Sequence, residues 1–200
     1  CMDDIMGLSP KARFLIEILV ILGLIYSSGI SVDSLHGLWG IDDIPSVVAV
    51  PLTIFAGVGI INAINMVDGV NGLSSGLCIT CSMLFGLQFF CIGDYVNAVL
   101  AFSIASSLFL FFIHNVFGNQ SRMFIGDAGT MVMGVLMTWF VMCSMHDAGR
   151  GMILDYAYCP TAMVVAILSV PVADTLRVMT MRVFHGKSPF SPDKTHLHHA

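Results

Sequence analysis

The segment Val96-Asn-Ala-Val-Leu-Ala-Phe-Ser-Ile-Ala-Ser-Ser-Leu-Phe-Leu-Phe-Phe-Ile-His-Asn-Val-Phe117 contains no Asp, Glu, Lys or Arg. A helix needs roughly 17–25 mostly apolar residues to cross the hydrocarbon core of a bilayer, and this run has that length. Five further apolar runs accompany it: Phe14 to Ile30, Val47 to Ile64, Leu73 to Ile92, Ala128 to Met145 and Ala157 to Val172. None alternates with period 2, so a lipid-facing β-barrel is disfavoured, and helices are the other structure whose backbone is satisfied within lipid. The expected fold is all-α, a polytopic transmembrane helical bundle of about six spans, with residues 1–200 forming one integral-membrane domain.

Composition agrees. Only 10% of residues are charged, against roughly a quarter in an ordinary globular domain. The net charge is −5, and no nucleic-acid partner is expected. The chain opens on Cys1 with no basic n-region or cleavage site, and it closes inside a polar motif, so it is expected to be a piece of a longer protein cut at both ends. The six cysteines are scattered. Cys78-Ile-Thr-Cys81 has the spacing of half a zinc site but no second half, and reads as apolar packing.

The distribution of basic residues orients the chain. If each run crosses the membrane, Lys11, Arg13, Arg122, Arg177, Arg182, Lys187 and Lys194 fall on one side and Arg150 alone on the other. Basic residues concentrate in cytoplasmic segments, so the first side is expected to be cytoplasmic.

Three polar stretches share that side: Asn62-Ala-Ile-Asn65-Met-Val-Asp68-Gly-Val-Asn71-Gly72-Leu73, Met123-Phe124-Ile125-Gly126-Asp127-Ala-Gly129-Thr130, and Ser188-Pro-Phe-Ser-Pro-Asp193-Lys194-Thr-His196-Leu-His198-His199. The pair Asp3-Asp4 precedes the first span on the same side. Asn62, Asn65, Asp68 and Asn71 recur every third residue, a spacing that sweeps around a helix by about 60° per step. Gly69 and Gly72 can end or bend the helix, which would gather several oxygens. Hard oxygen ligands suit Mg²⁺, which takes one or two protein ligands and completes its shell with waters and phosphates; a capped helix end with an ordinary Asn-Gly turn is the alternative. Asp127 is expected near a helix N-terminus, where it can cap the helix or meet metal and phosphate oxygens. Asp3 and Asp4 can orient metal or phosphate, or accept a proton. His196, His198 and His199 can bind a transition metal or donate to a diphosphate.

In this order, these stretches resemble the polyprenyl-phosphate N-acetylhexosamine-1-phosphate transferases, glycosyltransferase family 4. The likeness spans nearly the whole chain. It implies a multi-span helical fold with more helices than six and a cytoplasmic active site in the bacterial plasma membrane. It implies transfer of a hexosamine 1-phosphate from a UDP-N-acetylhexosamine to polyprenyl phosphate, with release of UMP and Mg²⁺ or Mn²⁺ as cofactor. By the same resemblance Asp3, Asp4 and Asp68 are catalytic, and Asn65 and Asp127 contact the metal. Asn71, Phe124, His196, His198 and His199 face the nucleotide sugar; many bacterial relatives carry Asp at the position of Asn71. The ending His196-Leu-His198-His199 after Ser188-Pro-Phe-Ser-Pro looks like the N-acetylglucosamine branch, with the muramoyl-pentapeptide branch as the alternative. A homodimer is compatible with the resemblance. Outside the family, the polar helix break could be the substrate site of a transporter, or the chain a nucleotide-binding membrane module without catalysis.

Overall fold

The computed structural model describes residues 10–41, 43–68, 72–118, 125–146 and 160–184. Six α-helices account for most of them: α1 Pro10–Ser28, α2 Ser46–Val67, α3 Leu73–Ile92, α4 Tyr95–Phe117, α5 Gly126–His146 and α6 Pro160–Phe184. No strand occurs among the described residues; a single antiparallel bridge joins Ser34 and Asp43. The expected all-α membrane bundle is observed.

Five of the six helices, α2 to α6, are long and apolar enough to cross a membrane. The exception is α1, where Lys11, Arg13 and Glu17 all fall within its first eight residues. Five qualifying spans therefore stand where six were expected. The chain is a multi-pass membrane protein.

Backbone chemistry sets the helix boundaries. Gly72 stands just before α3 with φ +76°, a left-handed conformation that glycine adopts without the Cβ clash other residues suffer. Asp94 caps α4, its Oδ1 accepting from the Asn97 N–H at 3.1 Å.

Packing follows the rule that small residues let membrane helices approach closely. The tightest pairings are α3 with α4 and α2 with α5. At Gly134 of α5 an added Cβ would lie 2.6 Å from the Ile61 Cα of α2, so the two backbones nearly touch. At Gly57 of α2 it would meet Ile21 Cδ1 of α1 at 2.7 Å and Thr138 Cγ2 of α5 at 2.8 Å. The core centres on Phe85 and Phe89 of α3 and Phe140 of α5, all fully buried, with ring centroids 5.6–6.3 Å apart. The opposite face of α4 exposes Val96, Val99, Phe109, Leu110 and Phe117, side chains that lipid can solvate.

Successive crossings bring the start of α1, the end of α2 and the starts of α3 and α5 to one end of the bundle, as the contacts below record. At the other end Thr53 of α2 accepts from the Val32 N–H at 2.9 Å, and Thr161 of α6 donates to the Leu35 carbonyl at 2.9 Å. Those two bonds pin the connection between α1 and α2.

Candidate active site

Helix α2 runs unbroken through Asn62 and Asn65 to Val67, and Asp68 terminates it. The three-residue spacing therefore acts as an angular sweep, and each polar side chain reaches a different neighbour. Asn62 Nδ2 donates to Glu17 Oε2 of α1 at 2.7 Å and to its own helix at the Val58 carbonyl at 2.9 Å. Asn65 Nδ2 donates to Thr130 Oγ1 of α5 at 2.8 Å, with Asp127 Oδ1 farther off at 3.4 Å. Asp68 accepts the Ser74 hydroxyl of α3 on Oδ1 and the Gly126 N–H at the start of α5 on Oδ2, the latter at 3.1 Å. Asn62 turns away to α1, whereas Asn65 and Asp68 both reach the start of α5. A continuous helix imposes that outcome.

Asp127 lies in the first turn of α5, as expected. Its Oδ2 accepts from Arg13 Nη2 at 2.6 Å, joining the start of α1 to the start of α5. The Asp127 side chain is 54% exposed and that of Arg13 24% exposed; such a partly solvated pair is worth about 0–1 kcal/mol. Thr130 is fully buried beneath them and bonds back to the Gly126 and Asp127 carbonyls at 3.2 and 3.1 Å. This wedge fixes the turn that carries Asp127.

Asp68 sits in a less watery place. Burial raises its pKa above the usual 3.8, and the nearby Asp127 charge raises it further, while the bonds from Ser74 and from the Gly126 and Ile125 N–H groups oppose the shift. Asp68 thus ties three helices together and retains a proton affinity above that of a free carboxylate.

The donor set suits a hard divalent cation. Asp127 presents a half-exposed carboxylate that already attracts a cationic group, the Arg13 guanidinium. Magnesium takes one or two protein ligands and fills its shell from water and substrate oxygens. Among the described residues no three or more His, Cys, Asp or Glu side chains lie together. Asn65 approaches Asp127 through its amide N–H in this structure.

The geometry thus brings together three of the residues singled out from sequence, Asn65, Asp68 and Asp127. Asp3, Asp4, Asn71, Phe124, His196, His198 and His199 lie outside the described residues. Four participants were not anticipated: Arg13, Glu17, Ser74 and Thr130. Arg13 was visible only as one more basic residue on the side expected to be cytoplasmic, and Glu17 as a charge inside an apolar run. The latter was the usable signal, because ionisable residues are costly within membrane segments.

The family described as glycosyl transferase family 4 matches residues 1–145. The chain is 28% identical to the undecaprenyl-phosphate alpha-N-acetylglucosaminyl 1-phosphate transferase of Yersinia pestis, across 99% of this chain and 53% of that protein. It is 35% identical to the decaprenyl-phosphate N-acetylglucosaminephosphotransferase of Mycobacterium leprae, across 74% of this chain and 40% of the relative. With the protein of that name from Mycolicibacterium smegmatis it shares 32% identity, across 98% and 52%. The chain spans about half the length of the curated relatives it matches. No solved structure gives a significant match.

Proposed function

The chain belongs to glycosyl transferase family 4, and from that premise we propose that its protein transfers N-acetylglucosamine 1-phosphate from UDP-N-acetylglucosamine to a polyprenyl phosphate. The relatives named above are polyprenyl-phosphate N-acetylglucosamine phosphotransferases, which supports both the lipid acceptor and the sugar. The observation that carries the reading is the junction of α2 and α5. There Asn65, Asp68 and Asp127, up to 62 residues apart in sequence, meet at one end of a membrane bundle.

In the reaction a lipid phosphate oxygen attacks the sugar-bearing phosphorus. A new P–O bond forms, the diphosphate bridge breaks, and its electron pair leaves with UMP. Magnesium, when bound, supplies positive charge to the diphosphate oxygens. Asp127 would hold it, with Asn65 beside it. Asp68 faces the same end, and its raised proton affinity brings it nearer to the second phosphate pKa of about 6. It can thus hold the proton that the acceptor phosphate gives up, or orient that phosphate. Asp3 and Asp4 are proposed to help position the lipid phosphate. His196, His198, His199, Asn71 and Phe124 are proposed to bind the nucleotide sugar. The site would face the cytoplasm across a bacterial plasma membrane, where Arg13 and Arg177 follow the positive-inside bias.

The test is transfer of radiolabelled N-acetylglucosamine into butanol-extractable lipid together with UMP release by the full-length protein. Both should require Mg²⁺ and both should vanish in Asp127→Asn. Uptake of the sugar without new lipid would replace the proposal with transport, and near-normal turnover of Asp127→Asn would remove the metal assignment.

A further inference from the structure

The two ends of the bundle differ in their aromatic side chains. Among the described residues every Trp and Tyr lies away from the candidate site: Tyr26 near the end of α1, Trp39 in the connection from α1 to α2, Tyr95 at the start of α4 and Trp139 in the second half of α5. The Trp139 indole N–H donates to Asn97 Oδ1 of α4 at 2.9 Å. The other three are exposed, Trp39 at 85%. Trp and Tyr collect where a membrane meets water, because each joins an apolar ring to a polar N–H or O–H.

Trp39 stands in a backbone conformation that its side chain disfavours. Its φ is +56°, in the left-handed region that a bulky residue seldom enters. The turn around it is closed by bonds from the Gly37 N–H to the Ile41 carbonyl at 3.2 Å and from the Ile44 N–H to the Asp33 carbonyl at 2.7 Å. Its base is tied to α2 and α6 by the bonds of Val32 with Thr53 and of Leu35 with Thr161. Strain of this kind persists where the surrounding structure imposes it, and it marks a functional constraint. Here the constrained turn presents an indole outward.

The surroundings of Trp39 select lipid as what covers it. Residues 29–45 include Asp33, Asp42 and Asp43 and no Lys or Arg, so the segment offers no attraction to anionic headgroups. Ile41 is exposed beside it. Helix α2 begins at Ser46 and exposes Val47 and Val48 in its first turn, as α4 exposes Val96 in its own. Lipid that solvates those helices therefore reaches the foot of this connection.

We propose that the connection from α1 to α2 is a preformed membrane-interface anchor, with Trp39 inserted at the headgroup level of the leaflet opposite the candidate site and zwitterionic phospholipid as its partner. The anchor sets the depth of α1 and α2, whose other ends carry Arg13, Asn65 and Asp68. It is independent of the reaction assigned to that site.

The test is tryptophan fluorescence of the full-length protein in nanodiscs of zwitterionic lipid, taken as the difference between the unaltered protein and Trp39→Phe. The difference spectrum, which isolates Trp39, should be blue-shifted from tryptophan in water. It should lose most of its intensity when bromines are placed near the headgroup end of the acyl chains, and little when aqueous iodide is added. Where Trp39→Phe does not fold, Trp39→Gly supplies the same difference, since glycine adopts this conformation freely. Emission like that of tryptophan in water, quenched by iodide, would overturn the inference by showing that the loop stands in solvent. Blue-shifted emission that no brominated lipid quenches would also overturn it, because protein would then cover the ring. A blue shift that appears only with anionic lipid would contradict the zwitterionic partner.

Discussion

Replacing Gly134 by Ala should disrupt the site without touching any of its side chains. The added Cβ would lie 2.6 Å from the Ile61 Cα, about 0.8 Å inside ordinary contact, and the obstacle is backbone. Helices α2 and α5 must separate by most of that distance. One turn away, the 2.8 Å bond from Asn65 to Thr130 would open to about 3.6 Å, beyond hydrogen-bond range. Overpacking costs about 1–3 kcal/mol and the lost bond about 1 kcal/mol, while the better helix propensity of Ala offsets about 1 kcal/mol. The net loss of about 1–3 kcal/mol should lower the thermal midpoint in detergent by roughly 3–10 °C and weaken Mg²⁺-dependent turnover. Gly59→Ala on the same α2 is the control, since its Cβ meets nothing within 4 Å. It should be neutral or slightly stabilising. A Gly134→Ala protein that melts and turns over like the control would refute the claim that backbone contact at this crossing sets the site geometry.

Other expectations follow from individual contacts. Burial raises Asp68 above 3.8, so the folded protein keeps that proton longer than the unfolded chain does. The stability it contributes is full below about pH 3.8 and is lost as pH rises through the raised folded value; Asp68→Asn should remove that slope from melting curves recorded across the range. Ser74→Ala removes a donor to the Asp68 carboxylate and should move the acid limb of the rate profile to still higher pH. Gly72→Ala places a Cβ at φ +76° and 2.5 Å from Val116 Cγ2, and should cost about 1–3 kcal/mol, read as reduced yield of folded protein and a lower midpoint.

Hydropathy located all six helices among the described residues, because a run of apolar side chains marks where a helix meets lipid. It marks the helix ends less well. Helix α6 was expected over Ala157 to Val172 but continues to Phe184, because Asp174 and Arg177 pair with each other on the helix surface at 2.9 Å and need no lipid. Likewise α2 continues past Ile64 to Val67, since Asn65 finds its partner on α5. Asn65, Asp68 and Asp127 stood out as polar groups in an apolar chain. Their partners did not, because only the packing of α1 against α2 and α5 decides that Arg13 reaches Asp127 and that Asn62 faces Glu17 instead of Asp127. Ser74 and Thr130 are ordinary small residues in sequence and gain their roles from burial beside those carboxylates.

The most direct trial of the account is to locate Mn²⁺ by its anomalous scattering in crystals of the full-length protein grown with UDP-N-acetylglucosamine. The predicted result is a peak on the Asp127 carboxylate, at the end of the bundle shared with Asn65 and Asp68 and next to the diphosphate. A bound nucleotide sugar whose manganese sits on other residues, away from Asp127, would contradict it.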